Sequence, residues 1–210
     1  MKNPDDLNAL AELFTLAGNL KKLKRQGWID RGVDQPESVA DHSWRLALMT
    51  LLVSSEDPEI DAGRAVRLAL VHDLPESLTG DITPFDDQLR EPEADRTSLF
   101  HDLPEYSDAA DQSKTEAERR AIHQLTADLP ADLAAMLIES WEEYEAGETA
   151  EARLVRQLDK LETWLQALEY RQIQPDLIIE SFRKGTERDL TDPGLIALRR
   201  VIDALFRAAP

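Results

Sequence analysis

Apolar residues recur every three to four positions along most of the chain, the spacing of amphipathic helices. Leu7, Leu10, Ala11, Phe14 and Ala17 form the first stripe, behind Asn3-Pro4, an N-cap residue followed by proline at the first helical position. The basic run Lys21, Lys22, Lys24, Arg25 and then Gly27 end this helix, and residues 25–37, with Gly27, Gly32 and Pro36, read as a loop. A second helix is predicted from about Ser38 to Ser54, with the stripe Val39, His42, Leu46, Met49 and Val53. A third runs from about Asp61 to Leu74, with Ala65, Leu68, Ala69 and His72 on one face, before Pro75 opens a short turn that Gly80 breaks. Helical spacing returns at Lys114–Ala127, Pro130–Glu145, Thr149–Tyr170, Pro175–Arg188 and Asp192–Ala208. No internal repeat and no long alternating strand pattern occurs, so the predicted class is all-α in a single domain over residues 1–210.

Residues 86–113 break the pattern: nine acidic residues, two arginines and few periodic apolar positions read as an acidic, loop-rich insertion that could not bury a core of its own. The whole chain has 24 Lys+Arg against 42 Asp+Glu, a net charge of −18 over 210 residues. That balance argues against a nucleic-acid polymer as partner, because such proteins cluster cations on the phosphates and the short run at residues 21–25 is the one dense basic patch, more simply read as a solvated helix face. A small anionic substrate needs a local counter-field, which a cation would supply. There is no cysteine, which excludes disulfides, zinc–thiolate sites and thiol nucleophiles. The N-terminal residues lack a long apolar segment and no stretch approaches the length of a membrane span, so no signal peptide and no membrane association are expected, and a cytoplasmic location is.

The four histidines carry the candidate chemistry. His42 and His72 lie inside apolar stripes, where an imidazole is costly without a partner. Each alone reads as a core histidine bonded to a backbone carbonyl. Together, with Asp73 directly after His72 at a helix end, they could turn toward one point, and a divalent ion in a helical bundle needs three or four such ligands from facing helices. Asp159, beside Leu158 on a long apolar helix, borders the buried stripe and is the best further ligand, although an acid there is commonly solvated. His101-Asp102 sits in the acidic insertion and reads as a surface pair; His123 packs or faces solvent.

Taken in order, His42, His72-Asp73 and Asp159 resemble the His … His-Asp … Asp signature of the HD-domain phosphohydrolases. The flanking text is similar to the 5′-deoxynucleotidase branch: Gly27-Trp28-Ile29-Asp30-Arg31-Gly32-Val33, Pro36-Glu37-Ser38-Val39-Ala40-Asp41-His42, Arg67-Leu68-Ala69-Leu70-Val71-His72-Asp73-Leu74-Pro75-Glu76, Gly80-Asp81-Ile82 and Gln157-Leu158-Asp159-Lys160. The resemblance implies a helical HD-domain fold that holds one divalent metal ion through His42, His72, Asp73 and Asp159, with Mn, Co or Mg preferred and Fe, Ni or Zn compatible. It implies hydrolysis of the 5′-phosphate of a deoxyribonucleoside monophosphate. Glu76 becomes the water-handling carboxylate, with an N-terminal helix charge as its bland alternative. Asp81 positions the sugar or assists the leaving oxygen, and Ile82, Thr83 and Pro84 line the same loop. Trp28 contacts the nucleotide. Arg25 and Arg31 compete for the phosphate, because the bacterial enzymes carry an arginine where this chain has Gly27; Arg31 could instead brace the Glu37 loop. Glu118 matches a glutamate behind the site. A homodimer is also implied, and the apolar residues of the C-terminal helices (Leu190, Leu195, Ile196, Leu198, Val201, Ile202, Leu205 and Phe206) offer surface for it. The alternatives are an HD phosphohydrolase acting on a dNTP, cyclic nucleotide or pyrophosphate-type substrate, and a non-catalytic metal-binding helical module.

Overall fold

The helix starts follow from local chemistry in the computed structural model, which describes residues 3–83, 89, 95–103 and 108–208. Asn3 accepts a bond from the Asp5 backbone N–H and Pro4 takes the first helical position of α1, Pro4–Ala17. A 3₁₀ turn, Gly18–Lys21, follows, and then a short helix α2, Gln26–Asp30, stands where the sequence suggests loop. Ser38 and Asp41 form a reciprocal capping box at the start of α3, Val39–Ser54. Asp61 caps α4, Ala62–Val71. A turn through His72–Pro75 leads into one helical turn, α5, Glu76–Thr79. Gly80 ends it at φ 79°, a left-handed conformation that frees the chain to turn sharply toward Asp81.

Two helical pieces occupy part of the stretch expected as loop: α6, Arg96–His101, capped by Asp95, and the first turns of α7, Asp108–Thr126. Then come α8, Ala131–Ala146, ended by Gly147 at φ 64°, and α9, Ala150–Ile173, capped by Thr149. The chain closes with α10, Glu180–Asp189, and α11, Pro193–Ala208. Helix α10 starts five residues later than its apolar spacing suggests. Leu177 and Ile179 are buried two positions apart on non-helical backbone, so core packing holds this segment out of the helix. Among the described residues the only strand-like pairing is the isolated antiparallel bridge Lys24–Ser38.

Helix α9 is the axis. It packs against α3, α4, α8, α10 and α11, and its inward face (Val155, Leu158, Leu161, Ala167) is fully buried with Leu46, Ala65, Leu68 and Ala69. A second cluster joins α1, the start of α3, α7 and α8 around Val39, Ile122 and Trp141. The buried face of α1 is Ala9 and Leu13, not the expected Leu7 and Phe14, which are exposed. Three sequence-derived dimer residues, Leu190, Leu195 and Ile202, face the protein's own core, whereas Val201 and Leu205 are exposed.

Candidate active site

Helices α3 and α9 and the turn after α4 bring the four expected ligand residues to one place. His42 is fully buried on α3, and its Nε2 lies 3.2 Å from Asp159 Oδ1 and 3.9 Å from Asp73 Oδ2. His72 Nε2 lies 3.1 Å from the same Asp73 oxygen. The two rings are 5.6 Å apart. The opposite nitrogens face away from this point: His42 Nδ1 contacts Glu162 Oε2 at 2.5 Å and His72 Nδ1 donates to the Ala69 carbonyl at 2.9 Å. Acceptors at both Nδ1 atoms favour the N–H there, so each Nε2, once unprotonated, aims its lone pair inward. His42 Nε2 is buried without a hydrogen-bond partner. His42, His72 and Asp73 bring ligand atoms close enough together to hold one ion, and Asp159 stands 3.2 Å from the orphaned His42 Nε2; nitrogen and carboxylate donors of this kind suit a divalent cation.

Electrostatics support the same reading. Burial would raise the Asp73 carboxyl, but His72, His42 and Arg25 hold it well below the usual range. Asp159 behaves alike: burial is outweighed by Lys160 and the two imidazoles. His42 is pushed up to about 9, because Glu162 and Asp159 outweigh burial and Arg25. These groups form a charge-paired cluster that a cation would enter by displacing the His42 proton.

Glu76 stands at the end of the His72–Pro75 turn, buried, with Oε2 lacking a partner. Burial first, then the Asp73 and Asp81 carboxylates, push its pKa well above the ordinary glutamate value, against the pull of Lys114. Glu118 on α7 rises to about 7 through burial and neighbouring Glu145 and Asp73, with Lys114 3.5 Å away in opposition. Both acids line a polar cavity of about 260 Å³ with His72, Asp73 and Asp159. A second cavity of about 340 Å³ adjoins it, with Trp28, Ile82, Thr83, Leu103 and Phe182 in its walls. Arg25, Asp81, Lys114 and Lys160 line both.

Arg25 therefore leaves the basic run and faces the site. The bridge at Lys24 turns the chain, and Arg25 Nη1 donates to Thr163 Oγ1 at 3.3 Å. Burial would favour losing its proton, but Glu37, Asp81, Glu162 and Asp159 keep it firmly charged. Arg31 does not fit the phosphate or Glu37-loop roles. Its guanidinium donates to Gly27 O, Ile178 O and Ser181 Oγ and lies 4.2 and 4.1 Å from the Phe100 and Phe182 ring centres. It lines the second cavity alone, and burial lowers its pKa to about 10 despite Asp30. Trp28 is 1% exposed, packs on Tyr170 and Phe182, and donates through Nε1 to Glu37 at 3.0 Å. It is a rigid wall of that cavity and not an open stacking face. Asp81 is anchored by accepting the Gln26 N–H at 2.7 Å. Pro84 lies outside the described residues. His101-Asp102 is an exposed surface pair, Asp102 meeting Lys184, and His123 is exposed. Glu162 and Arg45, which no sequence signal separated from solvated helix charges, prove to stand directly behind His42.

Comparison with known proteins agrees with this geometry. The HD domain family model matches residues 17–192. The chain is 38% identical to 5′-deoxynucleotidase HDDC2 of Bos taurus over 93% of this chain and 84% of that protein. Among solved structures, a conserved hypothetical protein of Pyrococcus furiosus is 31% identical with a TM-score of 0.65, covering 94% of this chain and 99% of the other. A predicted metal-dependent phosphohydrolase of Magnetospirillum magnetotacticum is 27% identical with a TM-score of 0.63, covering 96% and 95%. The chain belongs to the HD domain family, and its fold is the all-α HD-domain fold.

Proposed function

We propose that this protein is a metal-dependent 5′-deoxynucleotidase that hydrolyses deoxyribonucleoside 5′-monophosphates to deoxynucleoside and phosphate. The observation that carries the proposal is the convergence of His42 Nε2, His72 Nε2, Asp73 and Asp159 beside a buried Glu76 whose Oε2 lacks a hydrogen-bond partner. The name of the Bos taurus relative supports the substrate class. His42, His72, Asp73 and Asp159 hold the ion; a nitrogen–oxygen donor set without thiolate suits Mn, Co, Fe, Ni, Mg or Zn, and of these we propose Mn, Co or Mg. When bound, a divalent ion supplies positive charge for phosphoryl oxygens and acidity for an attacking water. Burial and neighbouring carboxylates raise the Glu76 pKa and so make its ionised carboxylate a stronger base, which orients that water and accepts its proton. Arg25 binds the phosphate at the junction of the two cavities, and Asp81, fixed by the Gln26 N–H, faces the sugar or leaving oxygen. Trp28, Ile82 and Thr83 wall the nucleoside pocket.

Metal-stripped protein refilled with Mn or Co is expected to release phosphate from dAMP or dCMP faster than from AMP, and from monophosphates faster than from dNTPs. Retained metal with no release from any nucleoside monophosphate would falsify the nucleotidase reading. Preference for dNTPs would instead favour the triphosphohydrolase alternative.

We place the protein in the cytoplasm as a homodimer. No helix among the described residues is long and apolar enough to cross a membrane. Trp44, Leu51 and Leu52 on α3 and Val201 and Leu205 on α11 are exposed apolar residues available to a second copy. Sedimentation at micromolar concentration should give twice the 23.7 kDa monomer mass. Trp44→Glu with Leu205→Lys should shift it to monomer; an unchanged wild-type monomer mass rejects the dimer.

A further inference from the structure

Behind the proposed ligand set lies a second acidic group that no substrate-facing role absorbs. Glu162 sits one helical turn beyond Asp159 on α9 and is fully buried. Its two oxygens have different tasks. Oε2 meets His42 Nδ1 at 2.5 Å, and Oε1 accepts from Arg45 Nε at 2.7 Å. Arg45 is itself held by Glu169 at 2.7 Å and Gln166 at 2.6 Å, so Glu162, Gln166 and Glu169 form an i, i+4, i+7 clamp on one α3 arginine. Arg25 Nη1 stands 3.7 Å from Glu162 Oε2 and 3.8 Å from Glu37 Oε1.

A fully buried glutamate is retained as an anion only where cations and donors surround it. Here His42, Arg45 and Arg25 do so from three directions, and neither cavity is lined by Glu162. Glu37, His42 and Glu162 also lie close enough together to resemble a metal site, but Arg25 and Arg45 fill the space beside them with positive charge. That leaves the carboxylate one productive partner, the imidazole.

We infer that Glu162 is a positioning residue: it fixes His42 in the Nδ1–H tautomer and aims Nε2 at the cation, while Arg45, clamped from α9, holds Glu162 in place. The inference rests on His42 being a ligand, and a substrate-free metal-binding readout separates its failure from that of the nucleotidase reading. Carboxylates that orient a ligating histidine typically contribute about 10–100-fold to metal affinity. In Glu162→Gln the amide can accept from His42 only by turning its NH₂ toward Arg45, so one of the two bonds is lost.

The test is Mn affinity of the metal-stripped protein by chelator competition, without nucleotide, beside far-UV circular dichroism. Glu162→Gln should fold and bind Mn about 10–100-fold more weakly, and Arg45→Gln, which spares the His42 bond, should lose less. ¹⁵N spectra of the metal-loaded wild type should show His42 protonated at Nδ1 and unprotonated at Nε2. A folded Glu162→Gln within about twofold of wild-type affinity overturns the inference, as does a wild-type spectrum with the proton on Nε2. If Glu162→Gln does not fold, the wild-type spectrum decides.

Discussion

Asp73→Ala is expected to purify without metal and to stay metal-free when Mn or Co is added at concentrations that fill the wild type. Asp73 Oδ2 is a single carboxylate oxygen that lies near both proposed imidazole ligands, at 3.1 Å from His72 and 3.9 Å from His42, so its loss opens the set between them. The loss should exceed the about 10–100-fold expected when an orienting residue is removed, and phosphate release should fall with it. Thermal unfolding reads this without substrate. Metal at 100 times its dissociation constant stabilises a folded protein by about 2.7 kcal/mol, a shift the wild type should show and Asp73→Ala should not. The binding also has a pH signature. His42 is pushed up to about 9 in the metal-free protein, and the ion competes with that proton, so apparent affinity should climb with pH through the neutral range. The sign for stability is opposite: a raised imidazole stabilises the metal-free fold below its ordinary range, and that contribution fades as pH rises through about 9. A wild-type metal-induced shift in Asp73→Ala, with wild-type metal uptake, would remove Asp73 from the set.

Glu76→Gln is the complementary experiment. The amide keeps the shape of the site and should leave metal content unchanged, because Glu76 stands outside the converging ligand atoms. Turnover should fall by about 10²–10⁴-fold, the usual contribution of a positioned acid or base. Burial and the Asp73 and Asp81 carboxylates raise this carboxyl, so its loss should also flatten the acidic limb of the pH–rate profile. Full activity in Glu76→Gln would hand the proton to Glu118, the other buried acid of the polar cavity, whose pKa rises to about 7.

The two candidate imidazole ligands are legible in the sequence because they interrupt apolar stripes. His42 lies between Val39 and Leu46, and His72 follows Leu68 and Ala69; a polar side chain on a core face must meet something there. Glu162 broke no such rule. It follows Asp159 by one turn on a helix dense in charge, and its burial depends on α3 lying across it, which no local spacing reveals. Helix α2 was hidden for a different reason: Gly27 and Gly32 read as loop punctuation, whereas buried Trp28 and the Asp81 carboxylate at the Gln26 N–H order five residues between them. The Lys24–Ser38 bridge, likewise a tertiary contact, turns Arg25 out of a basic run and toward the site. Arg31 shows the converse, a cation near the right motif that two aromatic rings and three acceptors occupy elsewhere.

The acidic excess also resolves into parts. The 86–113 stretch and the six glutamates of residues 139–151 hold no proposed ligand. The acids that matter are few, and their charge is matched locally by His42, His72, Arg25 and Lys160.

Anomalous diffraction from crystals soaked in Mn tests the central claim most directly. The account predicts one peak within bonding distance of His42 Nε2, His72 Nε2, Asp73 and Asp159. A peak on the other side of the His42 ring, against Nδ1, Glu37 and Glu162, or no peak at a saturating Mn concentration, would contradict it.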